Sequence, residues 1–368
     1  VDRRPDQQEA VSPPLDASRS RIARSTTRTW AHRHDTDTLM AGRSMSFSLR
    51  ICLAIVSGIL VFLAFPNWNL SWTCWIAHVP LLLAARGSTI RQGFWLGLCA
   101  GTVTNFGGFH WITGMLMDFG HLPAVAAWSI FTLQATAQGL AVAIGVAMWR
   151  YLERCGVASA PAACLTLWAG EVVTPMIFPW YLGNGLINEI LMVQIAELGG
   201  VHIVSALLYG SNAAIYALID AGLAKRKPAW RFVAVMASAV ALTALYGTVR
   251  IGQVDADQKA APTQRIGLVE GNIGIWEKQA KHLRGSSRLQ TLRNNLLIHQ
   301  NMSADLQRQG AELILWPESA YMPYGGIPLQ FGRQRFVVVG QNDTLARLDE
   351  DRVVPVDINR LGVTRNDR

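Results

Sequence analysis

Seven apolar runs fill the chain from Ser48 to Arg250, separated by short polar connections. A helix of roughly 20 apolar residues crosses a bilayer. A chain built of such runs must satisfy its backbone hydrogen bonds within helices. The runs lie near Arg50–Phe65, Trp72–Ala85, Phe94–Ile112, Ala124–Met148, Pro161–Phe178, Val201–Leu223 and Phe232–Val249. The second is short for a crossing; the fourth and sixth are long enough to tilt. After Asp255 the sequence turns polar and charged. Apolar residues make up 51% of the whole, little above a soluble average, so their distribution decides the class. Lipid surrounds the first part and water the second.

The connections alternate in charge. An arginine-rich arm precedes the first run. Arg86 and Arg91 follow the second, Arg150 and Arg154 the fourth, and Lys225, Arg226, Lys227 and Arg231 the sixth. The stretches "PNWNLS", "TGMLMDFGHL" and "PWYLGNGLINE" carry neither Lys nor Arg. Basic loops stay in the cytoplasm. The N-terminus is therefore expected there, and with seven crossings everything after Arg250 lies on the outer side. The net charge of +8 points to the membrane and not to nucleic acid, since no basic helix is interleaved with aromatics.

The basic-free connections carry Trp68, Trp72, Trp111, Trp180 and Tyr181. These form an interfacial aromatic belt or, alternatively, the wall of a lipid-access groove. Glu171 lies within the fifth run, where an acid is expensive and faces the bundle interior. Its expected role is structural hydrogen bonding, with substrate contact as the alternative. His78, His110 and His202 are expected to pack or sit at the interface. The five cysteines, Cys52, Cys74, Cys99, Cys155 and Cys164, all fall in the apolar part, with no metal or disulfide spacing. No metal and no cofactor are expected.

Residues 1–44 are rich in Arg, Ser, Thr, Pro and Asp without an apolar period, and are expected to be a disordered basic arm. Met45, followed by "SFSLRICLAIV", is the expected translation start. Residues 45–252 form the transmembrane bundle. Beyond it, "RIGLVEG" reads as a strand and Ser286–Gln309 as an amphipathic helix, on the spacing of Leu289, Leu292, Leu296 and Leu306. "AELILWP" is a second strand, "RFVVVG" a third and "RVVPVDI" a fourth. Strand, helix and strand begin an α/β layer structure. Glu318 then sits just past a strand's C-terminal end, where open α/β sheets keep their sites. Trp316 and Pro317 beside it would exclude water and raise its pKa toward a general base's working range. Capping the next element or facing solvent are equal alternatives for this residue taken alone.

Five segments together resemble the apolipoprotein N-acyltransferase family: "FPNWNLSWTCWIAHVPLLLA", "FPWYLGNGLINEILMVQIAELGGVHIVSALLYGSNA", "GLVEGNIGIW", "LILWPESA" and "VVVGQND". The resemblance covers roughly Leu49 to Gly340. It implies a membrane bundle followed by a nitrilase-like (αββα) carbon–nitrogen hydrolase domain, here a partial one over 262–368, on the periplasmic side of a bacterial inner membrane. It implies a Glu–Lys–Cys triad that takes an acyl chain from a phospholipid donor as a thioester and passes it to the α-amine of a diacylglyceryl-cysteine lipoprotein acceptor. Glu318 matches the general base, Trp276 a tryptophan near the acyl entrance, and Trp180 is a candidate contact for substrate. The catalytic lysine and cysteine are absent: no lysine follows Lys281 and no cysteine follows Cys164. The nearest stretch to the lysine segment, "VDINRL", places Ile358 at the lysine position. The chain is accordingly expected to be C-terminally truncated relative to the family and inactive alone. A non-catalytic membrane protein that binds lipid or lipoprotein tails is the alternative. A transporter is disfavoured, because no matched pair of broken apolar segments marks inverted repeats.

Overall fold

The computed structural model describes residues 45–274 and 285–317, together with four strands between 328 and 355. Two compact units divide the chain, Val1–Asp257 and Gln258–Arg368. The basic arm, Trp276, Glu318 and Ile358 lie outside the described residues.

The first unit is helical: α1 (Phe47–Phe62), α2 (Val79–Ala85), α3 (Ile90–Phe109), α4 (Trp111–Asp118), α5 (Ala124–Arg154), α6 (Ser159–Val173), α7 (Ile190–Val193), α8 (Ala196–Leu223) and α9 (Trp230–Ala260). Three of these, α5, α8 and α9, are long and apolar enough to cross a membrane. Their exposed apolar side chains, such as Leu133 in α5 and Leu242 in α9, suit a lipid surround. The second expected run is not one helix. It is a 3-10 turn, Ser71–Trp75, followed by α2. Pro80 explains the break, because it has no N–H to donate and its ring clashes with the preceding turn. The fifth run also ends early, at Val173, since Thr174 precedes Pro175 and takes an extended conformation. The sixth begins earlier, at Ala196, with a kink at Gly199 and Gly200; Gly200 has φ +66°, a left-handed value that glycine adopts without strain.

Glycines set the contact between α3 and α5. Gly93, Gly97 and Gly101 recur every four residues along α3 and face α5. A Cβ on Gly101 would lie 2.7 Å from the Gly139 Cα, and one on Gly97 2.8 Å from the Ala143 Cα. Small residues at this spacing let membrane helices approach backbone to backbone, where dispersion contacts hold them without a hydrophobic driving force.

The connections sort to two ends of the bundle. At one end, Arg50 donates to the carbonyls of Ala84 and Arg86. Arg150 donates to the Ser88 carbonyl at 3.1 Å, and buried Asp220 pairs with both Arg86 and Arg226. At the other end, aromatic rings meet: Phe65 stacks on Trp180, and Trp111 and Phe109 pack on Phe178. The basic and the basic-free connections of the sequence thus occupy opposite ends.

The second unit contains β1 (Ile266–Leu268), α10 (Gly285–Arg308) and β2 (Leu313–Leu315), with β1 and β2 paired in parallel, Ile266 opposite Leu313 and Leu268 opposite Leu315. Helix α10 buries Leu292, Leu296 and His299, one face at helical spacing. Four further strands, β3 (Pro328–Phe331), β4 (Gln334–Val339), β5 (Thr344–Asp349) and β6 (Arg352–Pro355), form an antiparallel meander in the order β3-β4-β5-β6. The sequence reading found β4 and β6 but missed β3 and β5. "PLQF" opens on proline and "TLARLD" is broken by Arg347, so neither shows a clean strand signature.

Candidate functional site

The aromatic end of the bundle holds a partly open cavity of about 50 Å³. Its lining includes His78, Asn105, Gln138, Glu171, Trp180 and Tyr209, contributed by the stretch before α2 and by α3, α5, α6, the 174–189 segment and α8. Polar side chains at these depths are costly unless paired, and they mark function or structural necessity inside a membrane bundle.

Glu171 is the hub. Its residue is 5% exposed. Oε2 accepts the Leu182 N–H at 2.8 Å and the Tyr209 hydroxyl at 3.0 Å. The Ser205 hydroxyl lies beside the same carboxylate and accepts the Gly183 N–H at 2.9 Å. His202 brings Nδ1 to 3.9 Å from Oε1, and its ring meets Tyr181 edge to face. His78 stacks on the ring of Tyr209 at 5.2 Å.

These contacts explain how an irregular segment is held. Residues 174–189 lack continuous helix, so their backbone groups need partners from elsewhere. Gln138 accepts the Phe178 N–H at 2.9 Å and donates to its carbonyl at 3.3 Å. The same amide donates to Asn105 Oδ1 at 2.8 Å. Glu171 and Ser205 hold the 3-10 turn Leu182–Leu186. Asn212 ties the other irregular stretch, accepting the His78 N–H at 2.8 Å and donating to the Cys74 carbonyl at 2.8 Å. Side chains from α5, α6 and α8 therefore replace the missing helical ladder.

Trp180 is placed by this scaffold. Its ring stacks on Phe65 with centroids 3.8 Å apart and planes at 25°, and it lines the cavity. Trp276 and Glu318 lie outside the described residues. Trp316, two residues before Glu318 in the chain, donates to the Ser303 hydroxyl at 2.8 Å and packs on buried His299. The end of β2 is thereby fastened to α10. Among the described residues, no group of three or more His, Cys, Asp or Glu side chains could hold a metal ion. Sequence reasoning singled out Glu171 and Trp180 but missed Asn105, Gln138, Ser205, Tyr209 and Asn212. Their signal was polarity inside apolar runs, which goes unread when the runs are scored only for hydropathy.

Fold and site together define a helical membrane protein with a buried acid–amide network inside its bundle. Residues 57–214 match the family described as the apolipoprotein N-acyltransferase N-terminal domain. The chain is 28% identical over 276 residues to an apolipoprotein N-acyltransferase of Geobacter metallireducens, covering 73% of this chain and 50% of the relative. It is 30% identical over 291 residues to the Chromobacterium violaceum protein of that name, covering 75% and 51%. An apolipoprotein N-acyltransferase 2 of Leptospira interrogans is 33% identical over 188 residues, 48% of this chain and 31% of the relative. The chain belongs to the apolipoprotein N-acyltransferase family, and it spans about half the length of the full relatives it matches.

Proposed function

We propose that this chain serves N-acylation of lipoproteins: a phospholipid donates an acyl chain, and the α-amine of a diacylglyceryl-cysteine lipoprotein accepts it. The observation that carries the proposal is the similarity to named N-acyltransferases, which runs through the bundle and on into the second unit. In this reading the helical unit crosses a bacterial inner membrane seven times with its N-terminus in the cytoplasm. The second unit is a nitrilase-like domain on the periplasmic side. The division of basic and aromatic connections between the two ends of the bundle supports that orientation.

Glu318 acts as general base in this proposal, three residues past the strand end that Trp316 fastens. It takes the proton of the nucleophilic thiol as the donor ester is attacked and gives it to the departing lysophospholipid oxygen; it then takes the proton of the incoming amine and returns it to the sulfur as the thioester is cleaved. Trp180 and Trp276 are, each in its own unit, the proposed contacts for substrate.

A chimera tests the assignment. Residues 45–318 replace the aligned part of the Chromobacterium violaceum relative in cells depleted of their own enzyme. Restored growth, lost again on Glu318→Gln, is the expected result. A chimera that inserts into the membrane and binds lipoprotein but never restores growth would favour the non-catalytic lipid-binding alternative.

A further inference from the structure

The Glu171 cavity contains more hydrogen-bonding capacity than the protein fills. Glu171 Oε1 makes no direct hydrogen bond, although Oε2 of the same carboxylate has two donors. His202 Nδ1 has none either, and it lies 3.9 Å from Oε1, too far for a direct bond. His78 Nδ1 is the third such atom, on a residue 3% exposed that lines the same cavity. Leaving buried polar groups unpaired costs about 1–3 kcal/mol each; two of these atoms belong to residues that line the cavity, Glu171 and His78, and the half-buried His202 faces Glu171 from α8, so a shared occupant is called for.

The size and chemistry of the cavity narrow the choice. A water needs about 10–15 Å³ of such space, and a site with several polar partners retains it. The cavity offers about 50 Å³. The other protein donors around it are largely committed: Tyr209 and the Ser205 hydroxyl to the Glu171 carboxylate, the Gln138 amide to Asn105 and Phe178, and the Thr104 hydroxyl to the Gly58 and Ala100 carbonyls. What remains open is one acceptor, Oε1, and two imidazole nitrogens that donate or accept according to tautomer. The occupant must therefore be small, must donate to Oε1 and must be able to pair with either form of imidazole.

We propose that the space between Glu171, His202 and His78 is an intramembrane water-binding site, in which ordered water donates to Glu171 Oε1 and bridges it to the two imidazoles. A gap of 3.9 Å between two polar atoms is where a bridging water is expected. The site makes Glu171 a hydrated acid within the bundle and couples three elements that share no direct side-chain bond through these atoms: the stretch before α2, α6 and α8. This inference stands on the cavity and its unpaired atoms and is independent of the acyl-transfer reading.

The test uses the full chain in nanodiscs of phosphatidylethanolamine and phosphatidylglycerol. Infrared difference spectra are recorded on transfer from H₂O to D₂O, with the Glu171 band assigned by its loss in Glu171→Gln. A hydrated Glu171 shifts promptly on transfer, and His78→Phe, which keeps the ring stacked on Tyr209, alters the shift. A band that stays unchanged for hours would overturn the site. An experimental map of the unmutated chain, at a resolution that shows ordered water, gives a readout that needs no variant. Water density in hydrogen-bonding range of Oε1 is expected. A dry cavity, or a lipid amine seated there in place of water, would contradict the proposal.

Discussion

Gln138 closes both hydrogen bonds of the Phe178 peptide groups, accepting from its N–H at 2.9 Å and donating to its carbonyl at 3.3 Å. One side chain in the middle of a long apolar helix thus does for an irregular segment what a helical turn would do for itself. Gln138→Leu leaves both backbone groups bare. The expected loss is about 1–3 kcal/mol, the cost of stranding buried polar groups. Chemical denaturation in detergent micelles, followed by tryptophan fluorescence, measures it. Unchanged stability would show that Phe178 does not depend on Gln138.

Glu171 and Tyr209 should separate by size of effect. Tyr209→Phe removes one donor from Oε2 and keeps the ring against His78; the expected loss is about 1 kcal/mol. Glu171→Ala removes the acceptor for both Tyr209 and the Leu182 N–H and leaves those donors unpaired, with a larger expected loss of about 2–5 kcal/mol. The same denaturation experiment ranks them. Equal effects would place the hub elsewhere.

The bundle was legible from apolar runs and loop charge, because both follow from the solvent and are repeated along the chain. Its breaks were less legible. Pro80 and the Thr174–Pro175 pair cut helices that hydropathy alone would continue. The glycine seam of α3 and α5 was present in the sequence as Gly93, Gly97 and Gly101, yet its partner, Gly139, is recognisable only once the helices are paired. Trp180 was picked out as an interfacial aromatic or a groove wall, and the structure puts it on the cavity against Phe65. The amides of the network were invisible for a different reason. A lone Asn105 or Gln138 in an apolar run says nothing of its partner, which lies 33 residues away in the chain.

The glycine seam gives a contrast between two substitutions of one kind. Gly101→Ala puts a Cβ 2.7 Å from the Gly139 Cα, a backbone atom that cannot rotate away. Helices α3 and α5 must part, at an expected cost of about 1–3 kcal/mol. Gly114→Ala in α4 meets nothing within 4 Å and should gain up to about 1 kcal/mol from helix propensity. Thermal unfolding of both variants beside the parent checks the difference in sign.

Glu197 joins α8 to α9 through Arg250, at 2.8 Å, and through the Tyr246 hydroxyl. The remaining contacts of α9 are sparse, with only Thr243 and Gly247 buried along it. Glu197→Ala should leave overall stability nearly unchanged, because the pair is partly exposed and screened by solvent. Its effect should appear locally, as faster hydrogen exchange in α9 around Tyr246 and Arg250. Unchanged exchange there would mean that lipid, and not this clamp, holds the helix.

Topology mapping reaches the centre of the account. Single cysteines are placed at Thr263 and Glu318 in a background where the five native cysteines are replaced, and intact cells are treated with a membrane-impermeant thiol reagent. Labelling of both positions from outside the inner membrane is the predicted result. Labelling only after the membrane is broken would put Glu318 in the cytosol and contradict the assignment of this chain to lipoprotein acylation.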